Sequence, residues 1–207
     1  MMRSDVISSI EYSIEYIYLN DLNRPVFPIE PIFAILKMSD CRCISYKKLA
    51  DIGNTDVSKI IKACNSSDGA TFYDPSNCRY LIAYNGSIRS EARIRWTLSH
   101  EIGHIVAGHF IELADTGAIP SDICYMEDEA NYFAANFLAP IPAIRALKAH
   151  SADDIRVWFG LSRAAAQNRW DEYIKSDKEA PLERYFNRNF SRSVTKRDKA
   201  LFKGHNF

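Results

Sequence analysis

The chain has 207 residues, which is long enough to bury a substantial hydrophobic core in one domain with room for a small appendage. Its composition is that of a globular protein, because 47% of the residues are hydrophobic and 25% are charged. The 26 basic and 26 acidic side chains give a formal net charge of zero, which argues against a general attraction to nucleic acids or membranes.

The sequence shows neither a secretory signal nor a membrane span. Acidic residues interrupt the apolar positions of the first stretch at Asp5, Glu11 and Glu15. No later apolar run is long enough to cross a bilayer. The five cysteines are scattered and odd in number, which is typical of reduced thiols. We therefore expect a cytoplasmic protein.

The N-terminal part of the chain predicts three helices and a strand. Apolar residues at helical spacing predict a helix over residues 5–20, and a proline is placed to open a second helix over 31–38. Alternation predicts a strand over 41–46, and a third helix is expected over 55–64.

A hairpin and two long helices are predicted next. Strand-like residues on both sides of Asp74-Pro75-Ser76-Asn77 predict a β-hairpin over residues 70–84. A helix is expected over 90–107, and a loop over 113–124 leads to a helix that stops at Pro140. These elements predict an α+β fold, mostly helical, with a small antiparallel β-sheet beside the helix of residues 90–107.

The helix predicted over 90–107 contains His100-Glu101-Ile102-Gly103-His104, an H-E-x-x-H sequence. Residues four positions apart share one face of a helix, so both imidazoles point the same way and can bind a zinc ion. Glu101 can take a proton from water at that metal. The motif therefore predicts a metal site with His100 and His104 as ligands and Glu101 as the catalytic base.

A catalytic zinc site of this kind needs a third protein ligand. The metzincin pattern requires glycine at position 107 and histidine at position 110, but the chain has Gly108 and His109. A displacement of one residue rotates a side chain by about 100° on a helix, so this pattern does not apply. His109 is interpreted instead as a residue at the helix C-terminus that binds free carbonyl groups.

The third ligand is expected from the helix that stops at Pro140. Glu127 begins a helix face that continues with small residues, which allows close packing against the H-E-x-x-H helix. Asn131, one turn later, is placed to orient a metal ligand by hydrogen bonding. Glu129 is the alternative third ligand, and Asp128 points between the two faces.

Two stretches resemble the ImmA/IrrE family of zinc metallopeptidases. One spans Arg95–His104, and the other begins Glu127-x-Glu129-Ala130-Asn131-x-Phe133-Ala134-Ala135 and ends at Pro140. The resemblance implies that the two motif histidines and Glu127 bind zinc, with Glu101 as general base. It also implies a regulatory endopeptidase whose partner is a protein substrate, typically a helix-turn-helix transcriptional repressor encoded beside it on a mobile element.

Non-enzymatic functions are the alternatives to the peptidase interpretation. Structural zinc would suit a regulator or a partner-binding module, for example of toxin–antitoxin type. A DNA-binding function is also conceivable, because residues 151–174 resemble a helix-turn-helix whose second helix carries Arg163, Gln167, Asn168 and Arg169. A helical hairpin that packs on the protein is favoured, since the chain has no net positive charge.

The C-terminal tail is basic and aromatic. Arg184, Arg188, Arg192 and Lys196 recur every four residues and would form a stripe on any helix there. They suggest docking to an acidic partner or nucleic acid, whereas a solvated, partly ordered tail is the alternative. The predicted segments are an N-terminal helix (1–25), a zinc metallopeptidase domain (26–150), a helical hairpin (151–176) and the tail (177–207).

Overall fold

A computed structural model describes residues 2–22, 26–114, 123–176 and 182–190. The chain divides into two compact units, Met1–Leu138 and Ala139–Phe207. Among the residues so described, no helix combines the length and apolar character needed to cross a bilayer.

The described part of the first unit contains seven α-helices, a π-helical segment and three strands. In chain order these are α1 (Ser4–Tyr16), the π-helical segment (Ile17–Asp21), α2 (Pro31–Lys37), β1 (Cys41–Ser45), α3 (Tyr46–Ile52), α4 (Val57–Cys64), β2 (Gly69–Asp74), β3 (Arg79–Tyr84), α5 (Glu91–Val106), α6 (His109–Leu113) and α7 (Cys124–Leu138). Most of these elements lie where the sequence predicts them, but the short helices α3 and α6 were not predicted.

The three strands form one sheet in the order β1–β3–β2. Strands β2 and β3 are the predicted antiparallel hairpin, with Asp74 opposite Arg79. Strand β1 runs parallel to β3, with Cys41 opposite Tyr80. The α+β prediction is therefore confirmed, although the sheet is mixed and not wholly antiparallel. A parallel pair needs a long connection, and α3, α4 and β2 supply it between β1 and β3.

Helices α5 and α7 form the centre of the first unit. Their contact is lined by large apolar side chains and by small residues, and the small residues let the two helices approach closely. Ile102 from α5 and Met126, Phe133 and Phe137 from α7 are completely buried. The N-terminal helical stretch also packs on α7, where the buried hydroxyl of Tyr18 donates a hydrogen bond of 2.6 Å to the carbonyl oxygen of Phe137.

Local signals fix both ends of α5. The side chain of Ser90 accepts a hydrogen bond from the main-chain N–H of Arg93 and so caps the first turn. At the other end Gly108 adopts a left-handed conformation with φ 74°, which is the usual way for a helix to stop. The H-E-x-x-H sequence therefore lies wholly inside one regular helix.

The described part of the second unit is entirely helical. It contains α8 (Ile141–Ala146), α9 (Ala152–Phe159), α10 (Arg163–Lys175) and α11 (Glu183–Phe190). Helices α9 and α10 are the predicted hairpin, capped by Ser151 and Ser162 and separated by left-handed Gly160. Helix α8 was not predicted.

The basic residues of this unit that the sequence suggests for DNA contact or partner docking have different environments. Arg169 is buried, and its Nε donates a hydrogen bond of 2.7 Å to the carbonyl oxygen of Ala139. Its guanidinium is therefore not accessible to DNA. Arg184 and Arg188 are exposed on α11. Arg192 and Lys196 lie outside the described residues.

Candidate metal centre

The two histidines of the H-E-x-x-H sequence direct their Nε2 atoms to one point. His100 and His104 are one turn apart on α5, and their Nε2 atoms lie 3.0 Å apart. Helix α7 brings Glu127 to the same point, where each histidine Nε2 lies 3.3 Å from one of its carboxylate oxygens. The structure therefore brings together the three side chains that the sequence proposes as metal ligands.

The spacing of these atoms fits a metal ion. Ligand atoms about 2.1 Å from a tetrahedral zinc ion lie roughly 3.4 Å from one another, since the edge of a tetrahedron is about 1.6 times the centre-to-corner distance. The observed separations of 3.0 and 3.3 Å are close to that edge. Two imidazoles and a carboxylate are also ligand types that a divalent metal such as zinc prefers.

The protonation states of His100, His104 and Glu127 depend on one another because the three side chains are in contact. Hydrogen bonds to His100 and then His104 lower the pKa of Glu127 well below its usual range, so this side chain is a carboxylate. Burial lowers the pKa of His104, which favours the neutral imidazole that a metal requires. Burial acts on the pKa of His100 in the same sense, but contact with Glu127 and the charge of Glu101 outweigh it and raise this pKa.

Glu101, the predicted base, lies beside this cluster in a restricted environment. Its side chain is almost completely buried, and one oxygen, Oε2, accepts a hydrogen bond of 2.7 Å from the hydroxyl of Thr71 on β2. Burial raises the pKa of Glu101 because a charged carboxylate is poorly solvated there. Sequence patterns alone could not select Thr71, because its proximity to Glu101 arises only when β2 packs on α5.

Asn131 occupies the position expected for a residue that orients a ligand. Its Oδ1 lies 3.0 Å from Nδ1 of His100 and can accept the proton of that nitrogen. The i, i+4 relation between Glu127 and Asn131 places both on the face of α7 that meets α5. Nε2 of His100 is then left with its lone pair towards the cluster.

His109 is the main correction to the sequence interpretation. It does not bind carbonyl groups at the end of α5 but begins α6, where its completely buried ring lies between His104 and Glu129. Its Nδ1 is 2.8 Å from Nδ1 of His104, and its Nε2 is 2.9 Å from Glu129 Oε2. Glu129 is thus held away from the cluster of His100 and His104, and Glu127 is the carboxylate that reaches it.

Two tyrosines of α7 and the acidic residue Asp128 are close to Glu127 in sequence but lie elsewhere. The hydroxyls of Tyr125 and Tyr132 donate to Glu112 and Glu11, at 3.0 and 2.6 Å, and so do not point to the metal cluster. Asp128 is exposed.

A cleft of about 540 Å³ opens beside the cluster. The three candidate ligands contribute to its lining, and so do Glu101, Asn131 and Thr71. Part of its wall is apolar and aromatic, from Phe72 on β2, Trp96 on α5 and Phe110 on α6. A cleft of this size and mixed character can accept a short segment of polypeptide.

Comparison with known proteins agrees with this geometry. A scan of protein families matches residues 56–171 to the model of the IrrE N-terminal-like domain, a peptidase family. That match covers more than half of the chain and includes the complete cluster, whereas a search of curated proteins found no match. The resemblance seen in the two sequence stretches is therefore confirmed. The chain belongs to the family of metallopeptidase-like proteins that contain the IrrE N-terminal-like domain.

Proposed function

We propose that this protein is a zinc-dependent endopeptidase that cleaves a specific regulatory protein. One observation carries the proposal, namely that two imidazoles and a carboxylate converge at the spacing of a metal site beside a buried glutamate. A purely structural zinc site normally uses four protein ligands. Within the part of the chain that the structure describes, the cluster of His100, His104 and Glu127 supplies three, as in zinc enzymes that keep a position for substrate.

His100, His104 and Glu127 would hold the zinc ion, and Asn131 would keep the ring of His100 in the orientation required. Zinc bound there supplies two functions, since it lowers the pKa of water and polarises the carbonyl group of a peptide. The chain itself must supply the base, the orientation of the substrate and a site with little free water.

Glu101 is the group that takes the proton. The hydroxyl of Thr71 fixes the carboxylate through Oε2, so the other oxygen can receive a proton from water in the cleft. Because burial raises the pKa of Glu101, the carboxylate is a stronger base than an exposed glutamate. It can then pass the proton to the nitrogen of the leaving peptide.

The cleft and the family resemblance both support a protein substrate. Aromatic side chains on three elements form an apolar wall, which suits a hydrophobic side chain of the substrate next to the cut bond. Family members of the ImmA/IrrE type suggest a helix-turn-helix repressor as the protein that presents this bond. Such a repressor encoded near this chain is the substrate to test first.

Metal content and cleavage together test the proposal. Wild type, His104→Ala and Glu127→Ala are purified in parallel without chelator, with Asp128→Ala as the matched control from the exposed face of α7. We expect about one zinc per chain in wild type and Asp128→Ala and little in the other two, because each loses a ligand. Wild type should cleave the repressor, and Glu101→Gln should retain zinc but lose cleavage by about 100-fold or more.

Two results would contradict the proposal. If wild type binds no zinc, the proposal that the protein is a zinc metalloenzyme is wrong. If zinc binds as expected and the Glu101→Gln variant regulates as well as wild type, the alternative of a non-proteolytic zinc-containing regulator is favoured.

A further inference from the structure

A buried chain of side chains connects the metal centre to the N-terminal helix. It begins at Nδ1 of His104, passes through both ring nitrogens of His109 and reaches Oε2 of Glu129 over distances of 2.8 and 2.9 Å. The side chains of His109 and Glu129 are completely inaccessible to solvent. Arg3, immediately before α1, closes the chain on the other side of Glu129.

These contacts select one tautomer of His104. Metal binding through Nε2 requires the ring proton to be on Nδ1, from which it can be donated to Nδ1 of His109. The proton of His109 is then on Nε2 and is donated to Glu129. Each donor therefore meets an acceptor, and the chain holds His104 with the lone pair of Nε2 towards Glu127.

Arg3 gives the buried carboxylate its positive partner. Its main-chain N–H and Nε donate to Oε1 of Glu129 at 2.9 and 3.1 Å, and its Nη2 donates to Oε2 at 2.8 Å. Its Nη1 donates to Glu112 at 2.6 Å, while the guanidinium lies 4.6 Å from the ring centre of Tyr125. One residue before α1 thus contacts both α6 and α7. A buried carboxylate that loses such a partner is costly, so Glu129 depends on Arg3.

We propose that Arg3, Glu129 and His109 are positioning residues for His104, so that docking of the N-terminal helix raises the affinity of the protein for its metal. None of the three is a metal ligand, and each acts through the next. The inference rests on the proposed metal site, and it adds that a residue more than 90 positions before the H-E-x-x-H sequence, Arg3, controls that site.

The test measures metal affinity of the folded, metal-free protein. Zn²⁺ is titrated in competition with a chromophoric chelator for wild type, Arg3→Ala, Glu129→Gln and the double variant. Arg93→Ala is the control, because Arg93 forms an ion pair of the same length, but more exposed, with Asp68 in the same unit. Each single variant should bind zinc about 10–100-fold more weakly. The control should stay within about twofold of wild type, as expected for an exposed pair.

Two further readouts separate positioning from fold stability. Co²⁺ in place of zinc should show an altered visible spectrum in Arg3→Ala and Glu129→Gln, since the spectrum reports the arrangement of ligands. The double variant should lose little more affinity than the weaker-binding single variant, because both residues act along one path. Arg3→Lys, which keeps the charge but not the paired hydrogen bonds, should recover part of the affinity.

Unchanged zinc affinity and cobalt spectra in both single variants would overturn the inference, even if their unfolding temperatures fall. If Glu129→Gln does not fold, Arg3→Ala and Arg3→Lys decide, since the Arg3 side chain is 31% exposed and lysine keeps a positive charge beside Glu129. Wild type that binds no zinc would instead refute the proposed function itself, so the two failures are distinguishable.

Discussion

Gly103 on α5 faces Ala130 on α7 at a distance that leaves no space for another carbon atom. A β-carbon on Gly103 would lie 2.9 Å from both Cα and the carbonyl oxygen of Ala130, and 3.0 Å from Cβ of Phe133. Two of these atoms belong to the main chain, so they cannot move away by a change of rotamer. The contact lies between the helix with His100 and His104 and the helix with Glu127.

The variant Gly103→Ala should therefore lose both stability and metal affinity. Alanine in place of glycine inside a helix ordinarily stabilises by about 1 kcal/mol. Here overpacking should outweigh that gain and lower the free energy of unfolding by about 1–3 kcal/mol. Urea unfolding and zinc titration measure the two effects, with Gly86→Ala as control because its β-carbon would meet no atom closer than 3.4 Å. A Gly103→Ala protein that is more stable than wild type would show that the helices can separate freely.

Thr71→Val should slow cleavage without loss of metal. Valine keeps the shape of threonine but removes the hydroxyl that donates to Glu101 at 2.7 Å. We expect a cleavage rate about tenfold lower, equivalent to one hydrogen bond of about 1.4 kcal/mol. Thr71→Ser, which retains the hydroxyl, should remain near wild type. Equal rates for the valine and serine variants would mean that this hydrogen bond does not matter for the base.

Tyr18→Phe should weaken the attachment of the N-terminal helical stretch. The substitution removes only the hydroxyl that donates to the carbonyl oxygen of Phe137 and leaves that buried oxygen without this donor. The free energy of unfolding should fall by about 1–3 kcal/mol, as measured by urea titration. Tyr16→Phe is the matched control, because Tyr16 is 52% exposed, and it should change stability little. Similar stabilities of the two variants would contradict the structure at this contact.

The five thiols should differ in reactivity according to burial. Burial, with the nearby charges of Cys43 and Asp40, raises the pKa of Cys41 to about 12, whereas Cys78 and Cys124 are exposed. At pH 8 only about one Cys41 thiol in 10,000 is then a thiolate, so maleimide should label Cys78 and Cys124 first.

Labelling of Cys41 should speed up about tenfold for each pH unit between 8 and 10, because this range lies below its pKa. Mass spectrometry of the digested protein assigns each modified thiol. Labelling of Cys41 as fast as that of Cys78 at pH 8 would contradict the buried position of Cys41 at the start of β1.

The sequence predicts the site best where one helix determines the geometry. His100, Glu101 and His104 need only a helix for their relation, and the i, i+4 rule supplies it. Glu127 and Asn131 needed a second helix at the right distance, and the small residues of α7 and the family resemblance indicated it. Thr71 could not be found in this way, because its contact with Glu101 depends on how the sheet packs on α5.

The fold follows the same division between local and long-range effects. The turn residues of the hairpin and the serine caps of α5, α9 and α10 are local signals, and the predicted elements agree with them. Strand β1 pairs in parallel with β3, a contact between residues about 40 positions apart that no local pattern encodes. Helices α3, α6 and α8 are seven residues or shorter, too short for a clear apolar period.

The left-handed turn at Gly108 has a consequence for how the neighbours of an H-E-x-x-H helix are predicted from sequence. In an unbroken helix the fifth residue after His104 would lie about 140° around the axis and point away from it. Because the helix stops at Gly108, the chain folds back and His109 reaches the ring of His104. A linear search for a longer histidine motif counts this spacing as a mismatch. The break itself brings His109 to the ring of His104, so a glycine that interrupts the helix can place a positioning residue where a fixed interval would not predict it.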